Sequence, residues 1–130
     1  MPPCRPLFFS DLDINQPHYN LEVGSGTHAE QTAAIMTRFE KVCLAEKPDI
    51  VVVVGDVNST IAAGLAAKKC GVLLAHVEAG LRSRDLAMPE EINRMATDAI
   101  TDLFFTTEPE AKRNPWPKAM RPTRSILSAT

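Results

Sequence analysis

The sequence predicts an α/β fold built around a parallel sheet. Two apolar runs, Ile50–Val54 and 72–77, are continuous rather than alternating, as strands covered on both faces are. Segments with apolar residues at helical spacing lie before, between and after them. Strand and helix patterns therefore alternate along the middle of the chain, which is the signature of strand–helix–strand crossovers.

Each element has its own local reason. Residues 1–18 read as irregular, because Pro2, Pro3, Pro6 and Pro17 interrupt any helix. Thr27 and Glu30 form a T-x-x-E capping box that opens a helix. Ile35, Met36, Phe39, Val42 and Cys43 give that helix an apolar stripe, and Pro48 ends it. Ile50–Val54 is expected to be a central strand, stopped by Gly55-Asp56. A second helix is expected to begin with Asn58 or Ser59 as N-cap and to stop at Gly71. Its small residues, Ala62, Ala63, Gly64, Ala66 and Ala67, suit close approach to a sheet. The strand at 72–77 follows. Pro89, Glu90 and Glu91 then start a third helix, with acids at the positive end of its dipole. Ile92, Met95, Ala96, Ala99 and Ile100 define its expected buried face. A short strand, Leu103–Thr106, closes the regular region. Residues 112–130 read as an irregular tail, unrelated or frame-shifted, with Pro115, Pro117 and Pro122 among basic residues.

Composition narrows the function. The chain has 130 residues, 45% hydrophobic and 23% charged, enough for one domain with its own core. Fourteen basic against sixteen acidic residues leave no excess of positive charge to neutralise many phosphates, so a nucleic-acid partner is not expected. The longest aliphatic run is far too short to cross a bilayer, and the N-terminus has no secretory pattern. Cys4, Cys43 and Cys70 are widely spaced and odd in number, which fits a reducing, cytoplasmic setting. Cys43 and Cys70 are expected to be packing residues.

Chemistry is expected at one edge of the sheet. Right-handed crossovers bring the C-terminal ends of parallel strands to a common edge, where ligands of open α/β sheets bind. Asp56 follows the first strand, Glu78 follows the second, and Glu90 opens the helix that returns to that edge. Each acid also has a plainer reading: Asp56 as a turn residue, Glu78 as a solvated loop acid, Glu90 as a helix-dipole partner. A metal site is not expected. Asp11-x-Asp13 and His76-x-Glu78 are short acidic or mixed pairs, and His18, His28 and His76 have no zinc spacing. Arg82 and Arg84 suit either a phosphate contact or a surface pair with Asp85.

Three motifs carry a resemblance. Gly55-Asp56 is followed by Asn58-Ser59-Thr60, then HVEAGLR at 76–82, then PEEINR at 89–94. Over residues 19–111 the chain closely resembles the N-terminal domain of non-hydrolysing UDP-N-acetylglucosamine 2-epimerases. The resemblance implies a partial Rossmann-like sheet with flanking helices, truncated from a two-domain glycosyltransferase-B architecture. It implies interconversion of UDP-N-acetylglucosamine and UDP-N-acetylmannosamine by elimination and re-addition of UDP, without metal or nicotinamide. It implies Asp56, Glu78 and Glu90 as the catalytic acids, with Asp56, Glu78 and Arg82 on the substrate, and Arg38 at an activator site. It also implies a homodimer in the full-length parent. The family's opening G-T-R-P-E loop and its C-terminal domain have no counterpart here, so the chain is expected to be a fragment, inactive alone. The other readings are a glycosyltransferase-B-type sugar transferase, a non-catalytic nucleotide-sugar-binding domain, and a fragment whose sheet, with an unpaired edge, does not fold stably.

Overall fold

The computed structural model describes residues 14–106 and 126–128. Cys4, Asp11, Asp13 and the tail from 112 to 125 lie outside the described residues. Among the described residues, three helices and four strands run in the order α1 (His28–Glu46), β1 (Ile50–Val54), α2 (Asn58–Lys69), β2 (Leu73–Val77), α3 (Pro89–Ile100), β3 (Leu103–Thr106) and β4 (Ile126–Ser128). The sheet order is β1-β2-β3-β4 and all pairings are parallel. Ile50 pairs with Leu73, Ala75 with Leu103, and Phe104 with Ile126.

The capping box forms as expected. Thr27 Oγ1 accepts from the Glu30 amide at 3.2 Å, and Glu30 Oε2 accepts from the Thr27 amide at 2.9 Å. Hydrogen bonds from the Thr27 amide first, and from the Thr27 side chain, hold the Glu30 carboxyl below the usual range. α1 ends at Glu46, ahead of Pro48, because Lys47 turns left-handed at φ 48°. α2 starts at Asn58 with Val57 as its cap residue, so neither Asn58 nor Ser59 caps it. Thr60 instead donates to the Val54 carbonyl at 2.9 Å and ties the end of β1 to the first turn of α2.

The core sits between the sheet and α2. Val51, Val53 and Leu74 meet Cys43 and Ala67, with Phe39, Ala63, Cys70 and Ile100 packed around them. Ala62, Ala66 and Ala67 are fully buried, as the small-residue pattern requires. A Cβ at Gly64 would lie 3.2 Å from Leu74 Cδ2, so this helix does press on the sheet. Asp102 fastens the start of β2, accepting from the Leu74 amide at 2.8 Å and from Lys68 Nζ at 2.7 Å.

Three expectations need correction. β1 is an edge strand among the described residues, with β2 as its one neighbour. Val51 and Val53 are buried while Ile50, Val52 and Val54 are exposed, because α2 contacts both α1 and α3 and only one side of the strand is covered. In α3 the buried residues are Glu91, Thr97 and Asp98, whereas Ile92 and Met95 are exposed. The helix docks through charges that bond to loop backbone, and that docking outweighs the apolar stripe. Finally, the irregular tail contains a strand, Ile126–Ser128, which extends the sheet beside β3.

Candidate functional site

The C-terminal ends of β1 and β2 lie side by side. The Gly55 amide donates to the Val77 carbonyl at 3.1 Å. Gly55 has φ 76°, a left-handed turn that releases the chain from β1 into Asp56. Glu78 is also left-handed, at φ 66°, directly after β2. Its Oε2 lies 3.9 Å from where a Cβ on Gly55 would stand, so it hangs over the Gly55-Asp56 turn. Glu78 lies beyond the end of β2, so strand alternation does not set its direction relative to His76.

α3 brings its first turns to the same edge. Asn93 Nδ2 donates to the Asp56 carbonyl at 3.0 Å and to Asn58 Oδ1 at 3.3 Å. Arg94 Nε and Nη2 both reach Asp56 Oδ2, at 2.8 and 2.7 Å. Beside them is a cleft of about 320 Å³ lined in part by His28, Gln31, Asn58, Ser59, Glu90 and Asn93. Asp56, Glu78 and Glu90 thus belong to one edge of the sheet. Asp56 is engaged by Arg94 through one oxygen. Glu78 and Glu90 make no ion pair or hydrogen bond among the described residues.

A buried framework that the sequence reading missed holds this edge together. Glu91 is 1% exposed and accepts from the Ser83 and Arg84 amides at 3.0 and 3.1 Å and from Arg94 Nη1 at 2.6 Å. Burial pushes the Glu91 carboxyl up, but the two amides, the Ser83 side chain and the Arg94 guanidinium outweigh it and hold the group below the usual range. Asp98 accepts from His76 Nδ1 at 2.7 Å, from the Gly80 amide at 3.1 Å and from Arg82 Nη1 at 2.7 Å. Arg82 therefore pairs inward with Asp98 rather than with Asp85, whose Oδ1 accepts from the Ala87 amide. The signal for these residues was in the sequence: Glu91, Arg94 and Asp98 recur at i, i+3 and i+7, one face of a helix.

Arg38 lies on α1 and donates to the carbonyls of Leu21 and Glu22, which anchors the segment before the helix. Among the described residues no group of three or more His, Cys, Asp or Glu side chains is arranged to hold a metal ion, and no helix is long and apolar enough to cross a membrane.

Comparison with known proteins agrees with the motifs. A family model described as UDP-N-acetylglucosamine 2-epimerase matches residues 4–124, a wider span than the motifs define. A UDP-N-acetylglucosamine 2-epimerase of Methanocaldococcus jannaschii is 53% identical over 108 residues, 83% of this chain and 30% of the relative. A UDP-2,3-diacetamido-2,3-dideoxy-D-glucuronate 2-epimerase of Pseudomonas aeruginosa is 50% identical over 99 residues, 76% of this chain and 28% of the relative. The crystal structure of the M. jannaschii enzyme in complex with UDP-GlcNAc and UDP superposes with a TM-score of 0.80 at 53% identity, over 83% of this chain and 30% of that one. The chain spans about 30% of the length of the relatives it matches.

Proposed function

The chain belongs to the UDP-N-acetylglucosamine 2-epimerase family, and from that premise we propose that it forms one wall of a cleft in which a UDP-linked 2-acetamido sugar is inverted at C2. The observation that carries the reading is the gathering of Asp56, Glu78 and Glu90 at one strand-end edge, with Glu90 lining the adjoining cleft and with neither Glu78 nor Glu90 paired among the described residues.

The chemistry needs such acids. Loss of UDP breaks the C1–O bond and leaves positive charge on the ring. Loss of the C2 proton then gives a glycal. Return of a proton to the opposite face of C2 and of UDP to C1 completes the inversion. The C2 hydrogen is not next to a carbonyl, so its removal depends on charge developing at C1, which nearby carboxylates stabilise. Glu78 and Glu90, unpaired among the described residues, are suited to take and return the proton, and such catalysis contributes ~10²–10⁴-fold. Asp56, half-neutralised by Arg94, supplies fixed charge through its other oxygen. Arg82 sits in the loop below Glu78 and is assigned to the substrate through that loop.

The substrate has two candidates, because relatives of similar identity are named for different sugars. Both are UDP sugars epimerised at C2. The exposed apolar positions Leu86, Ile92 and Met95 support the homodimer expected of full-length relatives. A nucleotide-sugar substrate supports a cytoplasmic setting.

A graft tests the reading. Residues 14–106 replace the matching stretch of the M. jannaschii relative, and the product is incubated with each UDP sugar in D2O. Deuterium should enter at C2 with formation of the epimer. Glu78→Gln and Glu90→Gln should each lower turnover by ~10²-fold or more. The 130-residue chain alone should give no turnover. Unchanged turnover in both variants would refute the assignment.

A further inference from the structure

Cys43 and Cys70 take no part in the site, yet they meet. Cys43 lies in the last turn of α1, and Cys70 is the residue that ends α2. Cys43 belongs to the buried core cluster, and Cys70 packs against that cluster. A hydrogen bond joins the two thiols, so residues distant in the chain place their sulfurs side by side.

Their settings differ. Cys43 is 3% exposed; burial first, and then the neighbouring Cys70, pushes its thiol up. Cys70 is half-buried. Its amide donates to the Ala66 and Ala67 carbonyls, which closes the helix, and Gly71 then turns left-handed at φ 76°. A Cβ added at Gly71 would meet nothing within 4 Å, so the turn that carries Cys70 has open space beside it. One sulfur of the pair is thus within reach of a small reagent, and the other is shielded behind it.

We propose that Cys43 and Cys70 are a reversible dithiol–disulfide pair, oxidised by a small disulfide such as oxidised glutathione. The Cys70 thiolate attacks the reagent, a new S–S bond forms at position 70, and one glutathione thiolate leaves. Cys43 then gives its proton to solvent and attacks the Cys70 sulfur, expelling the second glutathione thiolate. One disulfide forms in the chain, and one is reduced to two thiols. Burial of Cys43 slows the second step, because the thiolate is the nucleophile, but the contact between the sulfurs makes that step intramolecular. The cross-link ties the far ends of the two helices whose first turns supply His28, Gln31, Asn58 and Ser59 to the cleft. A pair of this kind in a reducing setting serves as a transient redox sensor rather than a permanent staple. None of this depends on the epimerase reading.

The test treats the folded 130-residue chain with oxidised glutathione at about pH 8, near the ordinary thiol value of ~8.5, then blocks free thiols and maps peptides by mass spectrometry without reductant. The expected product is a peptide pair linked through Cys43 and Cys70, reopened by dithiothreitol. Cys4→Ser should leave that link intact, and Cys70→Ser should leave Cys43 free of glutathione. Glutathione retained on Cys70 with Cys43 still a thiol, or a link from either residue to Cys4 in its place, would overturn the proposal. So would the same link forming as readily in urea, since the spacing along the chain rather than the fold would then select it. No arm of the experiment measures turnover, so a failed epimerase assay leaves the result readable.

Discussion

Glu78 is held where an L side chain is rarely found. A left-handed backbone costs a non-glycine residue about 1–2 kcal/mol, and among the described residues Glu78 has no hydrogen bond or ion pair to offset it. Strain of this kind at a loop acid is what a functional side chain requires when its direction matters more than its stability. Glu78→Gly should therefore raise the unfolding free energy by up to about 1 kcal/mol in denaturant titration while removing the carboxylate. A drop in stability would show that the side chain is a structural support. Glu91 should behave in the opposite way. Glu91→Ala strands two backbone amides and costs on the order of 3 kcal/mol. Its carboxyl is held below the ordinary glutamate value of about 4.5, so its contribution is complete above that pH and is lost as pH falls through the lowered value. Acid unfolding of the unsubstituted chain should therefore steepen below that pH, and Glu91→Gln should flatten it. At this scale the sequence pointed to the acids proposed to face the ligand but not to the residues that hold them. Glu90 and Glu91 are adjacent and chemically alike; only the helix rotation puts one in the cleft and the other in the interior.

The elements were legible to within a residue or two where pattern and punctuation agree. The capping box starts α1 where T-x-x-E predicts, β1 and β3 have their expected limits, and α3 begins at Pro89. The orientation of α3 was not legible. Its apolar stripe is regular, yet Ile92 and Met95 are exposed, because Glu91, Arg94 and Asp98 on the other face bond to the 80–84 loop, to His76 and to the Asp56 turn. Periodicity shows which residues share a face; it does not show which face is buried when the alternative is a satisfied charge network. α2 was legible through its size pattern. Gly64 faces Leu74 and Ile100 so closely that Gly64→Val should destabilise the chain by about 1–3 kcal/mol in thermal or chemical unfolding. Gly64→Ala should be nearly neutral, because the gain in helix propensity of ~1 kcal/mol offsets the tight contact. Equal, small effects of both would mean that α2 does not press on the sheet.

At the scale of the molecule, all three acids come to one edge because parallel strands joined by right-handed crossovers end there together. That placement followed from strand assignments alone. What the sequence did not show is the sheet's outer side. Ile50, Val52 and Val54 read as a doubly covered strand, and among the described residues β1 has one neighbour and one covered face. A strand sequence records the burial of the whole protein to which it belongs, and this chain spans about 30% of the length of its relatives. The central claim is that Asp56, Glu78 and Glu90 surround a bound pyranose. A crystal structure of the graft with a UDP sugar in the cleft tests this most directly. The account predicts the sugar ring against the 55–56 and 77–78 strand ends, with C2 facing Glu78 or Glu90; a ring seated away from all three carboxylates would contradict it.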